Sequence, residues 1–392
     1  MSRRPLAALA ALVLPLSVLA ACGDDDSADD PAGSDGPPAS ADPSTPTTDA
    51  DVVAGQPFPS ARCEANRAAG TIRYLSSFDY AATASIVEVL VADAKGYFEE
   101  LCLTVELAPS FSTANYPELA ANNAQFSSGG SFSEVVDFAT KNEAQFVVVA
   151  VEGKTGIDGL IVKDGGPTDL AGLAGLAGST IGVKGKITPS VAAMLAQAGL
   201  VEGTDYTTVL LDGFDPKVHI EVPEIVGFPG YKSNEPKQLE AAGVPFTLFD
   251  PAEFGIPGSF GILYTNAQFL NEHPTAAQDF VRAAMRGLAD AVADPAEAAE
   301  IALGYINANG NAMFLSPEGE TARWAVEAEL VRSTNSRTPL GVPEPELLRD
   351  EVGTYAAIGL FQGTAPDITP FVDTSLISGV YAADGTVVWP GT

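Results

Sequence analysis

A run of six apolar residues, Phe146 to Val151, constrains the fold of this 392-residue chain more than any other feature. A strand with apolar side chains on both faces is typical of a parallel sheet that helices cover on both sides. An earlier part of the chain has a strand–helix–strand pattern. Thr71–Leu75 is predicted as a strand and Leu103–Leu107 as a second strand. Between them, Ile86–Ala94 is predicted as a helix that ends at Gly96. This order predicts a βαβ unit with parallel pairing and a right-handed crossover.

The alternation of strands and helices continues through the middle of the chain and predicts an α/β protein with two lobes. Ser85 and Glu88 have the spacing of a capping box at the start of the first helix. The last third of the chain is predicted to be helical, with Trp324 in the core. Further strands are predicted at 159–162, 180–183, 208–211, 224–226, 245–249 and 260–264.

The N-terminus predicts an extracytoplasmic protein. Ser2-Arg3-Arg4 is a short positive segment, and Leu6–Leu19 is apolar but too short for a transmembrane helix. The following Leu19-Ala20-Ala21-Cys22 resembles a bacterial lipobox, which predicts removal of residues 1–21 and a lipid on Cys22. The alternative is a secretory signal that is cleaved after Ala21. Residues 22–59 are rich in Asp, Ser, Pro and Ala, and we predict a disordered tether.

Charge and residue counts exclude several functions. The formal net charge is -31, which argues against binding to nucleic acid or to an anionic membrane surface. The two histidines, His219 and His273, are far apart, and the three cysteines lack metal-ligand spacing, so we predict no metal, no cofactor and no catalytic residues. Gly153-Lys154-Thr155 resembles the end of a P-loop, but Val148 stands where that motif requires glycine.

The segment Gly227–Glu240 is the strongest candidate for a binding loop. It is broken by glycine and proline, carries Phe228 and Tyr231, and places Glu235 near a predicted helix start. Open α/β sheets bind ligands where a strand passes into such a loop. A carboxylate beside two aromatic rings suits a flat heterocycle with hydrogen-bond donors. The alternative is a capped loop in which Glu235 only interacts with the helix dipole.

Two cysteines remain if Cys22 carries lipid. Cys63 and Cys102 are predicted to form a disulfide, because disulfides persist outside the cytoplasm. The alternative is a pair of free thiols, one of them buried.

Several segments resemble one family of proteins. Val91–Leu107, centred on Lys95-Gly96-Tyr97-Phe98, resembles the first-helix signature of substrate-binding proteins of ABC importers in the nitrate, sulfonate and thiamine-pyrimidine group. Asn234-Glu235-Pro236, Tyr264 and Pro274–Gly287 resemble the branch that binds thiamine-pyrimidine precursors and riboflavin. One departure is Cys102, since family members often have glycine there; cysteine suggests a different turn, anchored to Cys63.

The resemblance implies an α/β, two-lobed type II periplasmic-binding-protein fold with a central cleft. The implied divisions are a signal peptide (1–21), a lipid-anchored tether (22–59), the first part of lobe 1 (60–163), lobe 2 (164–260), and the return to lobe 1 with C-terminal helices (261–392). The implied ligand-binding residues are Phe78, Asp79, Tyr80, Gly130, Ser131, Phe132, Lys186, Thr188, Phe228, Tyr231 and Glu235.

The resemblance also implies a function. The chain would be a monomeric lipoprotein, without enzymatic activity, that delivers a thiamine-pyrimidine precursor or riboflavin to an ABC permease. An alternative is a sulfonate- or nitrate-type anion, for which Lys184, Lys186 and the helix start at Thr188 are candidate ligands. A second alternative is a pyrimidine-forming enzyme that uses iron and a histidine donor, and the two isolated histidines argue against it.

Overall fold

A computed structural model describes residues 51–311 and 315–391. The predicted signal peptide, Cys22 and most of the predicted tether lie outside the described residues. The end of that predicted tether is attached to the folded body, because Gly55 N–H donates to Trp389 O and Gly391 N–H donates to Gln56 O, at 3.0 and 2.8 Å. None of the described helices is long and apolar enough to cross a membrane.

Within the described residues, two five-stranded sheets form the cores of the two lobes. The sheet of lobe 1 has the order β2-β1-β3-β10-β4, and that of lobe 2 has the order β7-β6-β8-β5-β9. The strands are β1 (Thr71–Leu75), β2 (Thr104–Ala108), β3 (Phe126–Gly129), β4 (Phe146–Gly153), β5 (Asp158–Lys163), β6 (Thr180–Val183), β7 (Thr207–Leu210), β8 (Gly227–Tyr231), β9 (Phe246–Phe249) and β10 (Phe260–Asn266).

Helices cover both sheets and make up most of the C-terminal third. Proline occupies the first turn of many of them, where its missing N–H has no cost. The helices are α1 (Ser60–Ala68), α2 (Val87–Ala94), α3 (Tyr97–Glu100), α4 (Ser112–Ala120), α5 (Phe132–Asn142), α6 (Leu170–Leu173), α7 (Pro189–Gln197), α8 (Pro216–Ile220), α9 (Glu235–Ala241), α10 (Ala267–Glu272), α11 (Pro274–Ala293), α12 (Pro295–Asn309), α13 (Pro317–Thr334), α14 (Pro345–Ala357) and α15 (Thr374–Ser378).

The first βαβ unit has the predicted parallel pairing. β1 and β2 pair in parallel, with Thr71 opposite Thr104, and α2 ends before Gly96, whose φ of 76° is left-handed. Trp324 is fully buried, as predicted, and its indole N–H donates to Ala291 O at 2.8 Å. The predicted capping box is wrong, because no side chain of the described residues caps α2 and Glu88 is fully buried instead.

The apolar run that predicts a parallel strand lies in β4, which pairs antiparallel with β10 at the end of the sheet. All of β4 is nevertheless buried. C-terminal segments cover its other edge, because Val151 N–H donates to Gly341 O and Asp373 N–H donates to Val148 O. The predicted parallel pairing is therefore wrong, since continuous apolarity reports burial and not strand direction.

The chain crosses to lobe 2 earlier than residue 163. β5 pairs antiparallel with β8 and β9, so it belongs to the second sheet and the crossing lies between Gly153 and Asp158. The return crossing lies before Phe260, the first residue of β10.

Most of the segment predicted as a binding loop is regular structure, with the strand β8 at its start and the helix α9 at its end. β8 spans Gly227–Tyr231, whereas the prediction placed a strand at 224–226 and a loop after it. Gly227 allows β5 to approach closely, because a Cβ at that position would lie 2.2 Å from Ile161 O. Glycine therefore serves strand packing here and does not mark a turn.

The predicted disulfide is present and ties α1 to the turn before β2. Cys63 and Cys102 are bonded, and Asn66 beside them donates to Leu101 O at 2.7 Å. Cys102 has a φ of 59°. The turn is therefore left-handed, as glycine would make it, and the predicted change of turn is wrong.

Candidate functional site

A cleft of about 1560 Å³ opens between the two lobes. This volume exceeds the roughly 300–1,000 Å³ of a typical small-molecule pocket, so a ligand of several rings fits within it. Aromatic rings from both lobes line it: Phe78, Tyr116, Phe138 and Phe260 from lobe 1, and Phe214 and Tyr231 from lobe 2.

The structure brings together about half of the predicted ligand-binding residues. Those that line the cleft are Phe78, Gly130, Lys186, Thr188, Tyr231 and Glu235. Those that do not line it are Asp79, Tyr80, Ser131, Phe132 and Phe228. Ser131 lines a smaller cavity of about 30 Å³ beside the cleft, next to Gly130 and Thr188.

Phe228 and Phe132 lie in hydrophobic cores. Phe228 is 1% exposed and packs with Ile161 and Leu239, because its position in β8 directs it away from the cleft. Phe132 is fully buried behind the sheet of lobe 1. Ser131 instead caps α5, where its Oγ accepts from Glu134 N–H at 3.3 Å.

Asp79 and Tyr80 hold the loop that follows β1. Asp79 has a φ of 51°, and its carboxylate accepts from the backbone N–H of Tyr80 at 2.8 Å and from that of Asn311. The Tyr80 hydroxyl donates to Leu107 O at 3.0 Å. Both side chains therefore fix the position of Phe78, which does line the cleft.

Glu235 is held by two donors of its own lobe. It is 6% exposed, and its carboxylate accepts from Lys184 Nζ at 2.9 Å and from Tyr231 N–H at 2.8 Å. The Lys184 ammonium also lies 5.0 Å from the centroid of the Phe214 ring. The carboxylate thus places an ammonium group and an aromatic ring on the wall of lobe 2.

Two carboxylates face the floor of the cleft from opposite lobes. Asp158 begins β5 and accepts from Ser190 Oγ at 3.1 Å, while Glu134 lies in the first turn of α5. Burial, with a smaller contribution from the charge of Glu134, raises the pKa of Asp158 to about 7. Burial also raises the pKa of Glu134, and the charge of Lys186 partly offsets that shift.

Gly130 leaves room for Glu134. A Cβ on residue 130 would lie 2.6 Å from Glu134 Oε2 and 3.7 Å from the Tyr231 hydroxyl oxygen. Because residue 130 has no side chain, the Glu134 carboxylate of lobe 1 and the Tyr231 hydroxyl of lobe 2 both lie close to its backbone.

Sequence reasoning missed several lining residues. Phe214 lies in an irregular loop whose pattern gives no signal, yet its ring centroid is 6.3 Å from that of Phe78 across the cleft. Arg323, on α13, has its guanidinium carbon 5.7 Å from the centroid of the Phe78 ring. Asp158 is an acidic residue at a strand start, and that position was the one available signal. Within the described ranges, no cluster of His, Cys, Asp and Glu could hold a metal ion.

Residues 83–298, more than half of the chain, match the family described as NMT1/THI5 like. The chain belongs to the NMT1/THI5-like family. The family resemblance inferred from Val91–Leu107 is thereby confirmed. The chain is also 28% identical over 274 residues to the riboflavin-binding protein RibY of Chloroflexus aurantiacus. The aligned region covers 67% of this chain and 73% of RibY.

Solved structures share the fold at low sequence identity. The ligand-binding component of an ABC-type import system from Staphylococcus aureus, solved with zinc bound, has a TM-score of 0.56 at 12% identity and covers 79% of this chain and 98% of its own. The alkanesulfonate-binding protein SsuA from Xanthomonas axonopodis pv. citri, bound to MOPS, has a TM-score of 0.55 at 14% identity and covers 77% and 98%. The predicted two-lobed periplasmic-binding-protein fold is confirmed.

Proposed function

We propose that the chain is the extracytoplasmic solute-binding component of an ABC importer and that its cleft binds a planar heteroaromatic molecule. A thiamine-pyrimidine precursor or riboflavin has the chemistry that the cleft suits. The observation that carries this proposal is the set of aromatic rings that both lobes contribute, with Phe78 of lobe 1 against Phe214 of lobe 2. Each ring that stacks on a ligand adds about 0.5–1.5 kcal/mol beyond the area it buries.

Polar groups in the cleft favour a ligand that donates hydrogen bonds. Asp158 and Glu134 supply carboxylate oxygens from the two lobes, and amino or ring N–H groups pair with such acceptors. The binding activity that gives RibY its name agrees with this ligand class. Neither histidine lines the cleft, and His219 is buried with its Nε2 2.9 Å from Asp212 O, which supports a binding role without catalysis.

A sulfonate- or nitrate-type anion is the second candidate, and one observation favours it. Thr188 Oγ1 is buried without a hydrogen-bond partner among the described residues, and it lies at the start of α7 near Lys186. Asp158 weighs against this candidate, because its carboxylate already bonds Ser190 in the first turn of α7. An anion bound there would be repelled by the negative charge that Asp158 carries whenever its carboxyl is ionised.

We also propose a lipid anchor and a permease partner for this chain. A lipid on Cys22 would hold the protein at the outer face of the bacterial cell membrane. The chain would act as a monomer, without a cofactor, and would pass its ligand to a permease. The lipobox resemblance at Leu19–Cys22 supports the anchor.

A thermal-shift screen tests the ligand class. Purified full-length protein is heated with riboflavin, thiamine, an aminopyrimidine, taurine, an alkanesulfonate or nitrate, and a ligand in excess raises the melting temperature by mass action. We expect a shift with one of the heterocycles. A shift with a sulfonate or nitrate and none with any heterocycle would establish the second candidate.

A matched pair of variants locates the site. Phe214→Ala should weaken the heterocycle about tenfold, since each 1.4 kcal/mol is a factor of ten. Val218→Ala is the control, because Val218 is an exposed apolar residue of the same lobe that does not line the cleft. Equal affinities of the two variants would show that the ligand binds elsewhere.

A further inference from the structure

A stripe of buried charged residues runs along one face of α13. Glu320, Arg323 and Glu327 are spaced at helical intervals, and all three are at most 4% exposed. Charged side chains are seldom buried unless they are paired, so each must meet partners on a neighbouring segment. α13 belongs to lobe 1, whose core holds Trp324 on the same helix.

Glu327 bonds segments of both lobes at once. One of its oxygens accepts from Thr83 Oγ1 at 2.6 Å and from Ala84 N–H at 2.8 Å, and both donors belong to the cleft wall of lobe 1. Its other oxygen accepts from Ser233 Oγ at 2.7 Å, in lobe 2. Ser233 lies between Tyr231 and Glu235, which line the cleft, but neither Glu327 nor Ser233 lines it.

The other two residues of the stripe extend the same connection. Glu320 accepts from Ala82 N–H at 2.7 Å, and it pairs with Arg323 at 3.2 Å. Arg323 in turn donates to Asn234 Oδ1 at 3.1 Å, one residue after Ser233. The stripe therefore touches two consecutive residues of lobe 2 and the loop that follows β1 in lobe 1.

The connection lies beside a chain crossing. Lys232 N–H, next to Ser233, donates to Ile157 O at 2.9 Å, and Ile157 is in the segment that leads from β4 into β5. Contacts close to a crossing move little when lobes rotate, so they can persist while the cleft opens and closes. A buried carboxylate in this position also resists separation of the lobes, because Glu327 Oε1 would lose the hydrogen bond that Ser233 donates to it.

We propose that Glu327 is a positioning residue: through Ser233 it sets how lobe 2 sits on lobe 1, and so it determines the affinity of the cleft without touching the ligand. The effect on affinity rests on the proposed binding function. The effect on lobe arrangement does not, because it follows from bonds between protein groups.

The test compares Ser233→Ala with Thr208→Ala. Thr208 Oγ1 donates to Glu202 Oε1 at 2.7 Å within lobe 2, so this control loses a hydroxyl–carboxylate bond that does not join the lobes. Nitroxide labels on cysteines introduced at Glu300 (lobe 1) and Glu224 (lobe 2), both exposed, report the distance between the lobes. A full chain carrying Cys22→Ser, with Cys63 and Cys102 bonded, leaves these as the labelled thiols.

We expect Ser233→Ala to broaden or shift the distance distribution and to weaken riboflavin, the probe, by five- to fiftyfold. Glu327→Gln should do the same, because an amide cannot accept from all three donors. Thr208→Ala should change neither measurement. If both variants alter the distances while riboflavin binds no form of the protein, the positioning role stands and riboflavin is excluded as the ligand.

Unchanged distances in folded Ser233→Ala would overturn the proposal, whatever happens to the affinity, because Ser233 would then act only on its own loop. Circular dichroism establishes that each variant is folded before the distances are compared.

Discussion

Loss of the Cys63–Cys102 disulfide should destabilise lobe 1 by an amount that depends on the length of the loop that the bond closes. The bond closes a loop with a sequence separation of 39 residues. The chain-entropy relation gives about 13 cal/mol/K for a loop of that length, or about 4 kcal/mol at 25 °C. We therefore expect Cys63→Ala with Cys102→Ala to lower the free energy of unfolding by about 3–4 kcal/mol.

A second pair of variants isolates the backbone at residue 102. Its φ of 59° costs an alanine roughly 1–2 kcal/mol and costs a glycine little. Cys63→Ala with Cys102→Gly should therefore be about 1 kcal/mol more stable than the double-alanine variant. Part of that gain is lost, because glycine also gives the unfolded chain more freedom.

Urea unfolding followed by tryptophan fluorescence measures both effects. The two tryptophans, Trp324 and Trp389, belong to lobe 1 or pack against its core, so the signal follows the lobe that holds the disulfide. Wild-type protein unfolded with and without a reductant provides the control without mutation.

A loss below about 1 kcal/mol would refute the loop-closure reasoning. It would mean that the unfolded chain without the bond keeps the two cysteine segments close together, so that little loop-closure entropy is regained.

Three further predictions concern the cleft, the core and the anchor. Glu235→Ala should weaken the heterocycle ten- to a hundredfold in calorimetry, because Lys184 loses the carboxylate that positions it; an unchanged affinity would remove Glu235 from the site. Burial, with a smaller contribution from the charge of Glu327, raises the pKa of Glu88 from an ordinary 4.5 to about 8. The folded protein therefore keeps a proton that the unfolded chain releases, and the contribution of Glu88 to the free energy of unfolding should fall as the pH rises from about 4.5 to 8. Glu88→Gln should flatten that slope in urea titrations. Cys22→Ser should move the protein from the membrane fraction to the soluble fraction, and retention after a carbonate wash would place the anchor elsewhere.

Local patterns were sufficient where neighbouring residues in sequence make the structure. Periodicity and turn chemistry account for three correct predictions: Gly96 at the end of α2, the parallel pairing of β1 with β2, and the buried Trp324. Each depends on contacts within a short segment or on simple burial.

The errors arose where a distant segment decides the outcome. Gly227 and Pro229 in β8 have the composition of a loop, but close approach to β5 requires the first and tolerates the second. Phe228 belongs to the core because strand alternation directs it there. The sequence around Glu235 shows a carboxylate near a helix start. It does not show that this carboxylate already accepts a hydrogen bond from Lys184.

The residues that were missed in the cleft and directly behind it have the same cause. Arg323 and Glu327 appear in the sequence as polar residues of an ordinary helix, since their partners at Asn234 and Ser233 are about 90 residues away. The charge pattern of α13 alone favours a solvated face. Only the tertiary arrangement shows that these charges are buried between two lobes.

The order of the strands also bears on how the protein folds. Lobe 2 is made from one continuous segment, β5 to β9, whereas lobe 1 needs β10 to join β3 to β4 and pairs Thr265 with Phe126. Contacts between such distant residues form slowly, because a long loop must close first. Lobe 2 can therefore complete its sheet while the sheet of lobe 1 still lacks β10. During synthesis or refolding, the lobe that begins second is expected to finish first.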